Sequence, residues 1–474
     1  MNTPPTTLTD PSRHTSLRVV MIAAAAALGG FLFGFDSAVI NGAVGALQHV
    51  FHLSAFMTGV AVACALLGSA LGAWYAGSLA DRLGRVRTMQ VAAVLLAAGG
   101  LGAGLAGSVA WFIALRVIAG IGIGVASVIA PAYIAEVSPA SIRGRLGSLQ
   151  QLAIVLGIFV ALASDAALEN SAGSAELTLW FGLGAWRWMF LVGVIPAVIY
   201  GSLALTIPES PRYLVARGRI DEARVVLRKV LSLHDEAALH RKLTDIQNTL
   251  EREHKPSWRD LLGGRAGLLP VVWVGIILSI FQQFVGINVI FYYSTMLWHS
   301  VGFSESGSFT LTVITSIVNV VITLVAIALI DRIGRRALLV IGSSGMVVTL
   351  AVMAVCFAEA TGSGANIILP GAWGPIALVA ANLYVVFFGV SWGPVVWVLL
   401  GEMFPNRIRA MALAVAAAAQ WLANFAITSS FPAMAQFSLP FSYGLYAFFA
   451  LLSLLFVLKF VRETRGMELE DMPG

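Results

Sequence analysis

Charge is scarce in this 474-residue chain: Asp, Glu, Lys and Arg make up 11% of it, against about 25% in soluble domains. The length alone would allow roughly three water-soluble domains of about 150 residues, but so little charge cannot cover their surfaces. Cysteine is nearly absent. Cys64 and Cys356 both fall in apolar runs, which excludes a disulfide framework or a thiolate metal cluster and leaves two small packing residues. The histidines (His14, His49, His52, His234, His240, His254, His299) scatter over loops and one polar stretch. No metal cluster and no Ser/His/Asp set emerges, so neither an enzyme nor a cofactor is expected. The first 16 residues are polar and lack the apolar core of a secretory leader, so the N-terminus is expected to stay in the cytoplasm.

What is abundant is apolar: 58% of residues are hydrophobic and the mean hydropathy is +0.87. A membrane span needs about 20 mostly apolar residues. Twelve such stretches lie near 18–48, 55–81, 86–108, 110–137, 145–167, 185–206, 267–298, 308–331, 337–359, 373–401, 408–435 and 439–460. An even number puts both termini on one side, and basic residues are retained on the cytoplasmic face. Of 29 Lys and Arg residues, only Arg187 falls in a loop on the expected outside, and Arg116 lies within a span. The net charge of +5 thus records topology, and nucleic acid is not an expected partner. Between the sixth and seventh spans, residues 208–266 carry 12 basic and 9 acidic side chains. Leu227, Val230 and Leu231, then Leu239, Leu243, Ile246 and Leu250, recur at helical spacing, which predicts short amphipathic helices on the cytoplasmic surface.

Two loop motifs repeat across the midpoint. Asp81-Arg82-Leu83-Gly84-Arg85 after the second span matches Asp331-Arg332-Ile333-Gly334-Arg335 after the eighth. Glu136-Val-Ser-Pro139-Ala-Ser-Ile142-Arg143 after the fourth matches Glu402-Met-Phe-Pro405-Asn-Arg-Ile408-Arg409 after the tenth. A parallel duplication of six-span halves places a binding site between them near the bilayer midplane and makes alternating access the leading mechanism. The expected organisation is a tail 1–17, a six-helix bundle 18–207, a linker domain 208–266, a second bundle 267–461 and a tail 462–474. Asp81, Arg82, Arg85, Glu136, Arg143, Glu209, Asp331, Arg332, Arg335, Glu402 and Arg409 are candidate cytoplasmic gate residues, whose ion pairs would close the inner mouth as the halves rock together. Ordinary anchoring of basic loops is the alternative.

Only Asp36 and Arg116 read as ionisable residues well inside apolar spans, where charge is costly and marks function. Asp36 is 18 residues, or about 27 Å along a helix, from Arg18, and Arg116 is 20 residues, or about 30 Å, from Glu136. Both reach the outer half. Burial favours the neutral acid and a nearby Arg favours the carboxylate, an opposition that suits a proton switch. A fixed ion pair locking spans one and four together is the bland alternative. A ligand rich in hydroxyls, which both donate and accept, needs amides and aromatic faces in a dry site. Gln282, Gln283, Asn288, Asn319, Trp397 and Gln420 sit in apolar surroundings in the second half. An interhelical hydrogen bond is the alternative for any single amide. On a straight helix Gln283 and Asn288 would be separated by about 140° of azimuth, and Gly286 between them predicts a break. Tyr292 and Tyr293 lie toward the outer mouth, over a bound ligand or in an interfacial belt.

The chain resembles the sugar porter family of the major facilitator superfamily over essentially its whole length. The matching segments are Gly34-Phe35-Asp36-Ser37-Ala38-Val39-Ile40, Pro208-Glu209-Ser210-Pro211-Arg212, Gln282-Gln283-Phe284-Val285-Gly286-Ile287-Asn288, Ser391-Trp392-Gly393-Pro394-Val395-Val396-Trp397 and Ala419-Gln420-Trp421-Leu422-Ala423-Asn424. Two places depart from the family pattern: Arg462-Glu463-Thr464-Arg465-Gly466 lacks the usual leading Pro, and Arg409-Ala410 replaces Arg-Gly. The resemblance implies an all-α membrane protein, twelve transmembrane helices in two pseudo-symmetric six-helix bundles with a small cytoplasmic helical domain between them. It implies a bacterial inner-membrane carrier, most like xylose/proton and glucose/proton symporters, acting as a monomer on a monosaccharide and a proton. It implies that Gln282, Gln283, Asn288, Asn319, Trp397 and Gln420 are the sugar contacts, joined by Gln151, Phe33 and Trp421. Ile158 slightly favours a hexose, because the xylose symporter has glutamine there. Facilitative glucose carriers of the family have Asn where Asp36 stands, which favours proton coupling. A passive uniporter and a non-transporting sugar sensor are the other readings, although sensors generally add a long tail and about a dozen residues follow the last span.

Overall fold

The computed structural model of the chain describes residues 11–138, 143–231, 235–252, 258–263, 267–361, 368–405 and 408–463. Twelve helical spans are long and apolar enough to cross a membrane: Arg18–Val50, Ala55–Leu83, Arg85–Leu105, Val109–Val137, Leu149–Ala172, Ala185–Ala204, Pro270–Ser300, Glu305–Ile330, Arg335–Ala358, Trp373–Leu400, Met411–Phe437 and Leu439–Phe460. They are spans 1 to 12 below. Odd spans leave the face that carries the termini, the terminal face, and even spans return from the opposite, far face. Four of the returning spans start in the same way. Ser54, Ser108, Ser304 and Ser438 stand in extended conformation and accept the amides of Met57, Trp111, Gly307 and Phe441. Each cap satisfies one of the amides that a helix start leaves orphaned.

Four spans are interrupted. Span 1 breaks at Val39, between Pro11–Ala38 and Ile40–Val50, and span 6 at Gly193. Span 7 breaks at Gly286, whose φ of 87° is left-handed, between Pro270–Phe284 and Ile287–Ser300. Span 10 breaks at Ser391, between Trp373–Val390 and Trp392–Met403. Pro394 explains the last, since its ring excludes the carbonyl of the residue four positions earlier from a continuous helix. Backbone groups freed inside a membrane need internal partners. Tyr384 accordingly donates to the Val285 carbonyl at 2.7 Å, and Gln282 Nε2 donates to the Trp392 carbonyl at 2.8 Å.

Span 5 differs from its expected bounds. It runs on to Ala172 instead of ending near 167, so that Glu169 lies within it as well as Asp165. Both are buried, Asp165 completely. Asp36 and Arg116 are therefore not the only ionisable residues inside the spans.

The halves meet tightly at the far face. Asn41 of span 1 donates to the Phe291 carbonyl (2.8 Å) and Ser294 Oγ (2.9 Å) of span 7 and accepts from the Thr295 amide (3.1 Å) and hydroxyl (2.6 Å). A Cβ added at Gly59 of span 2 would lie 1.9 Å from the Ser429 carbonyl oxygen of span 11, so those backbones are in direct contact. Glu305 of span 8 accepts from Ser174 and the Ala175 amide of the first half. Between the halves, Pro211–Ala216, Ile220–Leu231 and Glu236–Arg252 form a helical cap in which Ala223, Leu227, Val230, Leu239 and Leu243 are buried. Ile246 is half-buried, and the side chains of Leu231 and Leu250 lie outside the described residues.

Candidate functional site

Asp36 sits just before the interruption in span 1, with Arg116 of span 4 against it. Arg116 Nη1 donates to Asp36 Oδ2 at 2.8 Å, and Nη2 donates to the Asp36 carbonyl at 3.2 Å. Arg116 is 2% exposed and Asp36 9%. The guanidinium also lies over the Phe190 ring, 5.6 Å from its centroid, and its Nε has no partner. Leaving either charge alone here would strand the other in low dielectric. Beside the carboxyl, Leu32, Phe35, Val39, Leu96, Gly100, Phe190 and Gly193 line a void of about 10 Å³. That is room for about one water.

The break in span 7 resolves the azimuth conflict. Asn288 Nδ2 donates to Gln283 Oε1 at 2.5 Å, so the two amides face one place across the αL turn at Gly286. Gln282 is half committed: its amide nitrogen holds the broken span 10, while its buried Oε1 has no partner. Gln420 Oε1 is likewise buried and unpartnered. Such atoms are costly and mark where a ligand hydroxyl would be accepted. Asn319 is buried next to Gly389 of span 10. Trp397, beyond the break in span 10, is 43% exposed, leaving an indole face uncovered. Gln151 on span 5 is half-buried. Phe33 of span 1 and Trp421 of span 11 meet across the halves at 5.6 Å between ring centroids. Tyr292 of span 7 is buried.

At the terminal face the repeated motifs form two copies of one arrangement. In the first, Arg85 Nε and Nη2 donate to both oxygens of Glu136 at 3.1 and 3.0 Å, and Nη1 donates to Asp81 at 3.1 Å. Glu209 accepts the amides of Arg85 and Val86 at 2.9 and 3.3 Å. In the second, Arg335 Nε and Nη2 donate to Glu402 at 3.1 and 2.8 Å. Glu463 accepts the amides of Arg335 and Arg336 at 2.9 and 3.0 Å. Each carboxylate thus caps a helix start where the dipole favours negative charge. Gly84 and Gly334, with φ of 95° and 101°, let the chain turn beneath it. These pairs tie helix ends together within each half and do not cross between halves. The Arg82 carbonyl accepts from Tyr213 and Arg217, and Arg332 is exposed. The side chains of Arg143, Asp331 and Arg409 lie outside the described residues.

Two further residues escape the sequence reading, beside the buried Asp165 and Glu169 of span 5. Glu463 plays the part of Glu209, and its signal is the Glu-Thr that follows span 12 where Glu-Ser follows span 6. Asn41 is the other: an amide two residues past a helix interruption, in a span whose polarity Asp36 already seemed to explain.

Comparison with known proteins agrees in placement. Residues 22–474 match the family model described as sugar (and other) transporter. The glucose transport protein of Synechocystis sp. is 56% identical over 456 residues, covering 96% of this chain and 97% of that protein. The D-xylose-proton symporter of Escherichia coli strain K12 is 37% identical over 494 residues, covering 97% of this chain and 96% of its own. Among solved structures, the inward open conformation of the xylose transporter XylE from Escherichia coli superposes with a TM-score of 0.82 at 36% identity, over 96% of this chain and 99% of that one. The proton:xylose symporter XylE bound to 6-bromo-6-deoxy-D-glucose gives 0.78 at 36% identity, over 97% and 99%. Twelve spans in two matching halves, four of them interrupted, an ion pair inside the first half and converging amides inside the second are the build of a membrane carrier and not of an enzyme, and the chain belongs to the sugar (and other) transporter family.

Proposed function

We propose that the protein is a proton-coupled monosaccharide symporter working by alternating access, with a glucose-like hexose or xylose as substrate. The observation that carries the reading is the buried Asp36–Arg116 pair at the interruption of span 1, a span that Asn41 just beyond ties to the half that holds the amides. Protonation of Asp36 removes the charge that Arg116 holds and loosens span 1 from span 4. Sugar bound by Gln151, Gln282, Gln283, Asn288, Asn319, Trp397 and Gln420, under Tyr292 and beside Phe33 and Trp421, favours one arrangement of the halves. The lysine and arginine bias puts the terminal face in the cytoplasm, with both termini inside a plasma (inner) membrane. The arrangement described, shut at the far face, is then inward-facing. Every group invoked lies on one chain, so a monomer embedded in the lipid bilayer suffices. The terminal-face clusters hold the ends of each bundle rigid while the bundles rock, a role within each half in place of the expected bond between them.

The test is sugar uptake into proteoliposomes with and without a pH gradient. Wild type is expected to accumulate sugar against its gradient when the outside is acidic. Asp36→Asn is expected to lose accumulation and retain exchange of labelled for unlabelled sugar. Wild-type uptake that merely equilibrates and ignores the pH gradient would replace symport by passive uniport.

A further inference from the structure

Asp165 is a carboxyl that the coupling pair does not use. It lies in span 5, wholly buried, and neither of its oxygens makes a hydrogen bond. Its neighbour in span 1 is Gly42. A Cβ at Gly42 would stand 2.8 Å from Asp165 Oδ2 and 2.7 Å from Met189 Sδ of span 6, so the carboxyl is sealed between three spans. The backbone of Gly42 is the one donor near it.

The cations of the surrounding elements are all engaged elsewhere. Arg116 of span 4 is bound to Asp36 of span 1. Arg187 of span 6 donates to the carbonyls of Gly104 and Ala106 at 3.1 and 2.7 Å. His49, at the far end of span 1, meets Glu176 at 2.7 Å. The remaining charged neighbours are acidic. Glu169, one turn along span 5, is buried with Oε2 unpartnered and interacts with Glu305 of span 8. A carboxylate sealed from water with no cation beside it and no hydrogen bond made to either oxygen is costly, and one added proton removes that cost.

We propose that Asp165 is a second proton-binding group, protonated while the far face is shut and opened to far-face water when the halves part. The device that opens it is the outer segment of span 1. Ile40–Val50 is a separate helix beyond the interruption at Val39, and Gly42 on it covers the carboxyl. The residue before Gly42 is Asn41, which ties that same segment to Phe291, Ser294 and Thr295 of the other half. Parting the halves releases Asn41, frees the segment and wets Asp165, and Glu169 lies on the same helix face toward the surface. The proton then leaves one carboxyl oxygen for water, and on closure a proton from far-face water returns to it. No covalent bond to carbon forms or breaks. Acidity at the far face therefore favours the closed form through this group independently of Asp36. Its use in transport rests on the symport reading; the bound proton rests on the seam alone.

The test is infrared absorption of the full-length protein in lipid at neutral pH, where protonated carboxyls give a C=O stretch distinct from carboxylates. Wild type and Asp36→Asn are expected to share a component that Asp165→Asn lacks and Glu169→Gln keeps. Asp165→Glu, which keeps a carboxyl, is expected to shift that component, and it serves if the Asn variant does not fold. In proteoliposomes, sugar exchange by Asp36→Asn is expected to keep a dependence on far-face pH that Asp36→Asn/Asp165→Asn loses. Spectra identical in wild type and Asp165→Asn would overturn the proposal, as would a flat pH profile in Asp36→Asn. If wild-type uptake ignores the gradient while the component is present, the symport reading falls and the proton site stands.

Discussion

Arg116 does more than supply a positive charge. It makes two contacts with Asp36, one to the carboxyl and one to the main chain, and stacks on Phe190. Removing one partner of a buried pair costs about 3–5 kcal/mol, whereas removing both charges is often nearly neutral. Arg116→Leu is therefore expected to lower the melting temperature in detergent markedly, and Arg116→Leu/Asp36→Asn to regain most of the loss. A double variant no more stable than the single one would mean that the guanidinium acts through Phe190 and not through the carboxyl. The pair is legible in the sequence because each residue interrupts a long apolar run. Asp165 and Glu169 are not, since they follow Ser164 and precede Asn170 and Ser171, a polar setting that reads as the end of a span. Their burial is decided by what packs over them, and Gly42 lies more than a hundred residues away in sequence.

At the scale of the element, the breaks decide what the spans present to a ligand. The span 7 break is legible because the two amides conflict on a straight helix and a glycine stands between them. Span 10 carries its signal in Pro394, and the interruption at Val39 has no local signal at all. Gly286→Ala tests the consequence. The added methyl meets a left-handed φ, worth about 1–2 kcal/mol, and the Tyr446 ring, 2.8 Å from its Cβ. Since about 1.4 kcal/mol is tenfold in affinity, sugar binding read by tryptophan fluorescence is expected to weaken about tenfold as Gln283 and Asn288 separate. Gly77→Ala in span 2, where nothing lies within 4 Å, is the control and is expected to leave binding unchanged. The terminal-face caps make a second prediction. Glu209→Gln and Glu463→Gln each replace a charged cap by a neutral one, and each is expected to cost about 0.5–2 kcal/mol. Similar losses of melting temperature would show the two clusters to be equivalent; a loss confined to one would show that the symmetry of geometry is not one of energy.

The whole molecule is a balance between two arrangements of its halves, and the contacts shutting the far face set that balance. Among the described residues they include the Asn41 cluster, Glu305 with Ser174 and Ala175, Ser306 donating to Asn170, and the backbone contact of Gly59 with Ser429. The sequence shows the duplication and hence the rocking, but not which face is shut, because that depends on hydrogen bonds between residues some 250 positions apart. Turning a two-state population from about 1:99 to 99:1 takes about 5.5 kcal/mol. A tryptophan at Gly59 exceeds that demand sterically, since its Cβ alone would stand 1.9 Å from a carbonyl oxygen that sits in a helix and cannot yield. Gly59→Trp is expected to hold the far face open. Spin labels on cysteines replacing Phe56 and Phe437, both exposed at the far ends of spans 2 and 11, would report this by pulsed electron resonance as a longer distance, with Cys64 and Cys356 first replaced. Asn41→Ala, which removes the hydrogen bonds without a wedge, is expected to give a mixture of the short and long distances. A distance unchanged in Gly59→Trp would mean that spans 2 and 11 bend around the wedge, and that the halves do not move as rigid bodies.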